Sequence, residues 1–304
     1  MEQFARRILI LIPTLLGVVT LVFFLIHFIP GDPVELMLGE TASRADLAKM
    51  RRDLGLDQPI AEQYGRFLSG LARADPGRSP FYRRPVHPIT LDKLPATLEL
   101  ALAAMALTLL IAIPLGIVAA VRKGSLADRS AMLASLVGIS MPNFWLGPLL
   151  IILFSLKLGW LPVSGREGAA SVILPAITLG TALAALLSRM TRSAMLDVLG
   201  EDYLRTARAK GLPERTVIVK HALRNALLPI LTIVGLQLGA LLSGAVITEI
   251  VFAWPGIGSL LIQSIHTRDY PLVQGCVLVI ALGYVAANFL TDLLYAVVDP
   301  RVKI

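Results

Sequence analysis

The sequence predicts an all-α integral membrane protein of six transmembrane helices, with both termini in the cytoplasm. Three observations carry that prediction. Of 304 residues, 56% are hydrophobic and only 16% charged, against about 25% charged in a soluble domain. The apolar residues fall in long blocks, and six of these are long enough to cross roughly 30 Å of hydrocarbon. Lys and Arg gather on alternate sides of those blocks, as they do on the cytoplasmic face of a membrane. The formal net charge of +7 follows from that asymmetry. No basic patch studded with aromatics marks a nucleic-acid binder.

The first span is expected over 8–29, behind the N-terminal MEQFARR. It runs apolar from Ile8 to Ile29, longer than the roughly 7–15-residue core of a cleaved signal peptide. HFIPGDP follows without a small-x-small cleavage site, so an uncleaved helix is expected. Residues 30–96 form an extracytoplasmic loop holding ten basic and nine acidic residues. Loops of that length translocate largely regardless of charge. ADLAKMRRDLGL within it reads as an amphipathic helix with Leu47, Met50 and Leu54 on one face, Ser43 as N-cap and Gly55 as its stop. QPIAEQYGRFLSGLA reads as a second helix with Pro59 near its start. DPGRSPFYRRPVHP reads as turn or extended chain returning to the membrane. The loop caps the outer mouth of the helix bundle, and docking of a delivery protein is its expected functional role.

The remaining spans are expected at 97–121, 131–156, 172–190, 227–250 and 272–298. They form a five-helix core over 97–298, followed by a tail at 299–304. The fourth is the weakest, because its apolar part ends before Arg189. Pro114 and Pro142 each remove a backbone hydrogen bond and can kink their span, and Pro229 kinks or opens the fifth. Cytoplasmic flanks and loops carry Arg6, Arg7, Arg122, Lys123, Arg129, the run from Arg189 to Arg224, and Arg301 and Lys303. The two short outer loops hold only Lys157, Arg166 and Arg268.

Polar residues inside spans are few and are candidates for a pathway: His27, Asn143, Gln237, Glu249, Asn288 and Asp292. Asn143, Gln237, Ser243 and Glu249 make the expected translocation set. Gly235, Gly239, Ser243 and Gly244 beside Gln237 serve close helix packing equally well. Trp254-Pro255-Gly256 can form a rigid outer turn or an interfacial anchor. The single cysteine, Cys276, precludes an intrachain disulfide. GxxxxGK[ST], HExxH, CxxC and GxSxG are all absent, so no cofactor or metal site is expected on this chain. No half-to-half repeat suggests a self-contained carrier. An ion-driven carrier and an intramembrane enzyme remain the rival classes.

The most informative stretch is EDYLRTARAKGLPERTVIVKHALRNALLP, Glu201 to Pro229, in the cytoplasmic loop 191–226. Glu201 to Lys210 should form a helix with acids near its start and bases near its end, which suits the helix dipole. Gly211 stops it. Pro213 fits the first position of a second short helix, about 213–221, with Glu214 in its first turn. Ala207 and Gly211, four apart, would share a shallow face. This stretch resembles the coupling loop of ABC importer permeases. RTARAKGL and HALRNALLP resemble the peptide and nickel branch in particular. FIPGDPVELMLGE, DLGLDQPI, SMPNFWLG, ITEIVFAWPGIGSLL and TRDYPLVQG point the same way, in order, along the whole chain. They resemble the first of the two permeases in dipeptide, oligopeptide and nickel importers. The general motif of the superfamily has Glu-Ala-Ala six to four residues before the glycine, where this chain has Arg205-Thr206-Ala207. Its Leu-Pro also comes late, at Leu228-Pro229.

The resemblance implies an ATPase-coupling surface made of Arg205, Ala207, Gly211, Leu212, Pro213, Glu214, Arg215 and Thr216. It implies a second homologous permease, two cytoplasmic ATPase subunits that bind ATP and Mg, and an extracytoplasmic solute-binding protein. It places the chain in a bacterial or archaeal cytoplasmic membrane, importing di- or oligopeptides by alternating access. Nickel or another small solute is the alternative cargo.

Overall fold

The computed structural model describes residues 2–28, 34–35, 42–73 and 75–298, and the side chains of these except 2–12, 242–244 and 296–298. The described residues form helices α1 (Glu2–Phe28), α2 (Arg44–Leu54), α3 (Ile60–Ala72), α4 (Val86–Val121), α5 (Leu126–Ser140), α6 (Asn143–Leu150), α7 (Ile173–Leu199) and α8 (Asp202–Ala209). They continue with α9 (Glu214–Thr216), α10 (Leu223–Val251), α11 (Ile257–His266) and α12 (Tyr270–Val298). No strand occurs among them; Arg78 and Pro85 share one isolated bridge. The described residues fall into two compact units, one within 98–254 and 284–298, the other within 2–97 and 255–283.

The first unit packs through small residues. A side chain at Gly116 would meet the Thr191 Cβ at 2.6 Å and the Ser188 carbonyl at 2.7 Å, and one at Gly180 would meet the Ala104 carbonyl at 3.1 Å. Ser135 and Ser188, both buried, share a hydrogen bond of 2.8 Å between α5 and α7. Lipid tails are as apolar as leucine, so helices in a bilayer associate through such close approach and interhelical hydrogen bonds. Gly235 and Gly239 of α10 lie against Thr291 and Tyr284 of α12, where a Cβ would come within 2.1 and 2.4 Å. These two glycines therefore serve helix packing, one of the two roles open to them in the sequence.

At the base of α5, the Ser125 hydroxyl caps the helix by accepting from Asp128 N. The Asp128 carboxylate accepts from Gly124 N at 2.9 Å and from the Arg192 guanidinium at 2.6 and 2.8 Å. Arg192 belongs to α7, which runs nine residues past the expected end of the fourth span. The fork-shaped pair gives each charge a partner where α5 and α7 meet.

The second unit contains α1, α2, α3, α11, the start of α4 and the start of α12. Ser43 accepts from Asp46 N, and Gly55 ends α2 at φ +69°, as the sequence predicts. Leu56 N bonds to the Arg51 carbonyl and Gly55 N to that of Arg52, the paired bonds that close a helix on a left-handed residue. Val86, Ile89, Ile257, Leu260, Leu272 and Cys276 form its apolar core. The buried Asp269 carboxylate accepts from the Ser79 hydroxyl, from Leu272 N at 3.1 Å and from Phe81 N at 3.4 Å. It thereby ties the chain before α4 to the start of α12. Burial pushes the Asp269 carboxyl above its ordinary value, more than these hydrogen bonds pull it down. Burial first, and then the Asp269 charge, raises the Tyr82 phenol.

Among the described residues, four helices are long and apolar enough to cross a membrane: Val86–Val121, Ala169–Leu199, Glu214–Leu241 and Tyr270–Tyr295. Several expectations about individual spans are corrected. The third expected span is not one rod. Its halves, Leu126–Ser140 and Asn143–Lys157, meet at 103°. Met141 is extended (ψ 116°) and Pro142 follows at ψ 138°, because a residue before proline is driven out of helical conformation. Counted as a single broken span, the pair brings the total to five. The first helix contributes a shorter apolar piece, Pro13–Phe28, among the residues with described side chains. The second span begins at Val86, since Pro88 falls in the first turn, where its missing N–H costs nothing. A helix, Ile257–His266, fills what reads in the sequence as an outer loop. FIPGDPVELMLGE (apart from Phe28, Val34 and Glu35) and the tail 299–304 lie outside the described residues.

Candidate functional site

The basic segment between α7 and α10 folds as an exposed tip on a buried root. In α8, Leu204 is fully buried and Ala207 is 8% exposed. In the following helix Val217, Ala222 and Ala226 are buried. These apolar positions hold the two arms down, and the chain between them projects. Tyr203 adds a polar tie: its hydroxyl accepts from Asn225 Nδ2 at 2.7 Å.

Gly211 makes the turn. It sits at φ +76°, a left-handed conformation that costs other residues about 1–2 kcal/mol. Its N–H bonds to the Arg208 carbonyl at 2.9 Å, and Leu212 N bonds to that of Ala207 at 3.4 Å. The Pro213 carbonyl then caps the next helix, accepting from Thr216 N at 2.8 Å and Val217 N at 3.2 Å. Across the turn the Arg208 guanidinium grips the Glu214 carboxylate with bonds of 3.1 and 2.9 Å. That bond stabilises the charged guanidinium and raises its pKa further. The pair links the end of one helix to the start of the next.

The expected coupling residues divide by exposure. Arg205, Gly211, Leu212, Pro213, Glu214 and Arg215 are exposed, and Thr216 is half-buried. Ala207 is part of the root. Gly211 has already left the helix, so the two do not share the expected face. Pro213 is the cap of the second helix rather than its first residue. That helix is not a separate short element either. Glu214–Thr216 passes through a π-helical turn, Val217–Ala222, directly into α10. Pro229 lies inside α10 without ending it. Sequence reasoning missed the Arg208–Glu214 clasp. Its signal was two opposite charges flanking Gly-Leu-Pro.

Of the expected pathway residues, Gln237 and Glu249 share α10. Gln237 is buried; its Nε2 donates to the Leu183 carbonyl at 3.0 Å, and its Oε1 is buried with no described donor. Glu249 is fully buried, about 18 Å further along the same helix at 1.5 Å per residue. Asn143 opens α6, and the side chain of Ser243 lies outside the described set. His27 is held by structure: its ring contacts the Phe23 carbonyl at 2.7 Å and Gln63 Oε1 at 3.1 Å. Trp254 is fully buried, so it is no interfacial anchor. Its N–H bonds to the Glu249 carbonyl at 2.7 Å behind Ala253, which is at φ +47°. Arg166 lies 5.9 Å over its ring and pairs with Glu99.

With this geometry in place, known proteins identify the chain's relatives. A family model described as binding-protein-dependent transport system inner membrane component matches residues 112–304. A second, for the N-terminal part of such membrane components, matches 1–101. The di/tripeptide transport system permease protein DppB of Pseudomonas aeruginosa is 47% identical, with 98% of each chain covered. The glutathione transport system permease protein GsiC of Pectobacterium atrosepticum is 45% identical over 100% of this chain and 99% of its own. The dipeptide transport system permease protein DppB of Escherichia coli is 44% identical, covering 98% and 97%. Among solved structures, an inward-facing MetNI methionine ABC transporter chain aligns with a TM-score of 0.58 at 20% identity, over 69% of this chain and 96% of that one. At that identity the likeness is one of fold.

Proposed function

The chain belongs to the family of binding-protein-dependent transport system inner membrane components, and from that premise we propose that it is a membrane-spanning subunit of an ATP-driven importer of di- and oligopeptides. The observation that carries the reading is the match along the whole chain to permeases named for di/tripeptide, glutathione and dipeptide transport. The chain itself is a transport component and not a catalyst. ATP and Mg belong to partner ATPase subunits on the cytoplasmic side.

In this reading six helices cross the inner membrane with both termini inside, and a second related permease completes the pathway. A solute-binding protein delivers peptide to the outer face. The exposed tip at Gly211–Arg215 seats on an ATPase subunit. Its support is mechanical: the tip is rooted by buried side chains and clasped by Arg208–Glu214, so a push on it moves α10 as a lever. Closure of the ATPase pair on nucleotide then biases two arrangements of the permease, and hydrolysis resets them. A ligand can shift such an equilibrium only through its different affinity for the two states.

The test is uptake of labelled dipeptide into vesicles holding the reconstituted complex, with glutathione and nickel run in parallel. Uptake that requires both ATP and the binding protein is the expected result. Glutathione or nickel uptake alone keeps the mechanism and changes the cargo. Transport without any ATPase subunit overturns the reading of the tip.

A further inference from the structure

The second compact unit holds a cavity of about 280 Å³, which neither the tip nor the expected pathway uses. Its described walls come from within that unit, chiefly from α1, α3, the chain around Pro76 and the start of α12. Its size is at the lower edge of the roughly 300–1,000 Å³ typical of small-molecule sites. That suits an occupant no larger than an amino acid or dipeptide.

Its chemistry is specific. The floor is aromatic: Phe23 and Phe67 stack at 5.6 Å, and Tyr270 lines the same space. The His27 ring lies between Phe23 and Tyr270, with centroids at 4.3 and 5.5 Å. It is fixed by Gln63, whose own amide is oriented by donating to the Gln58 carbonyl at 2.8 Å. Gln274 is 8% exposed, lines the cavity, and hydrogen-bonds to no described group. An amide that lines a cavity and bonds to no described group is open to the main-chain groups of a ligand.

Among the described residues, Arg66, Arg268 and the carboxylate of Asp75 line the space. Asp75 is exposed and accepts from Gly77 N at 3.0 Å. Arg66 pairs with no acid among the described residues. It packs so closely over Gly55 that its Nη1 would lie 2.7 Å from a Cβ there. Arg66 is the guanidinium open to a ligand here, beside an apolar floor, with Asp75 at the edge.

We propose that this cavity binds a small carboxylate ligand, an amino acid or dipeptide bearing a free C-terminus. Arg66 takes the carboxylate, the aromatic floor takes the adjoining side chain, and Gln274 bonds to the main-chain amide. Asp75 meets the ammonium end. Size and charge follow from the cavity; that the occupant is a peptide rests on the import reading above. The site is a separate station for cargo on this chain, apart from the shared pathway between permeases.

The experiment is equilibrium binding of tritiated alanyl-phenylalanine to the permease complex in nanodiscs, without binding protein or nucleotide. Saturable binding is expected. Arg66→Gln and Gln274→Leu should each weaken it about tenfold or more, as should amidation of the dipeptide's C-terminus. No saturable binding overturns the proposal, as does binding indifferent to both variants or to amidation. A photoreactive benzoyl-phenylalanine dipeptide gives a second readout on the unaltered chain. Its crosslinks should map to the segments around Phe23, Phe67 and Tyr270, and crosslinks confined to other segments refute the site. Intact ATP-driven uptake with no binding here removes the site and leaves the import reading. Binding here with no ATP-driven uptake does the reverse.

Discussion

Substitution of Gly211 separates two roles that coincide in one residue. Its φ of +76° means that any ordinary side chain strains the turn by about 1–2 kcal/mol, which lowers the population of this turn roughly five- to thirtyfold. Asparagine visits the same conformation at smaller cost. A Cβ at this position has nothing within 4 Å in this chain, so bulk alone causes no internal clash. Conformation and bulk therefore predict different orders of damage. If only the turn matters, Gly211→Asn transports well, and Gly211→Ala and Gly211→Trp are impaired alike. If the tip also seats in a partner, Gly211→Ala keeps partial uptake while Gly211→Trp falls to background. The coupling reading predicts the second order. The assay is ATP-dependent dipeptide uptake in reconstituted vesicles, normalised to the permease recovered in the membrane fraction, which should be equal for all variants. Wild-type uptake by Gly211→Trp would sink the coupling assignment; equal impairment of the Ala and Trp variants would reduce it to turn strain.

Three further outcomes are expected. Asp128→Ala leaves the Arg192 guanidinium and Gly124 N without their acceptor; it and Arg192→Met should each lower the unfolding temperature in detergent, and the double variant should lose less than the sum of the two. Strict additivity would show that the pair is not coupled. Gly116→Val places a methyl group where Thr191 and Ser188 already stand and should cost about 1–3 kcal/mol by overpacking, whereas Gly17→Ala, with nothing within 4 Å, should not destabilise; equal thermal shifts would refute the packing argument. The Asp269 carboxyl is raised by burial, so it favours the fold fully only below its ordinary value near 3.8 and loses that contribution as pH climbs through its raised value. Asp269→Asn should flatten that part of the pH profile of thermal unfolding, and an unchanged slope would show that another group sets it.

What could be read in advance depended on how local the cause was. Ser43, Gly55 and Gly211 act on their own backbone, so the ends of α2 and α8 were legible. Pro142 announced a break, but its 103° angle depends on what each arm packs against. Pro88 looked like part of a turn and instead sits harmlessly in a first helical turn. The α11 helix was hidden because ten residues after Trp-Pro-Gly resemble a connection as much as an element. The Arg192–Asp128 pair spans 64 positions, and no local pattern announces such a partner. For the tip, the exposed residues were legible from Gly, Pro and charge. The burial of Ala207 was not, because it depends on the neighbours beneath α8. The π-helical turn at Val217–Ala222 has no signature in composition.

The elbow at Met141–Pro142 bears on how this protein is made. Each arm of 15 residues rises about 22 Å, short of the roughly 30 Å that hydrocarbon demands. Neither arm is a complete stop-transfer signal by itself. At the elbow the last carbonyls of one arm and the first amides of the other have no helical partners, and lipid offers none. If the elbow lies at membrane depth, it must be shielded by protein or wetted by water from the moment of insertion. A solitary copy would then expose a recognisable defect to membrane proteases. Its lifetime in the cell should lengthen when the subunits that cover the elbow are made alongside it.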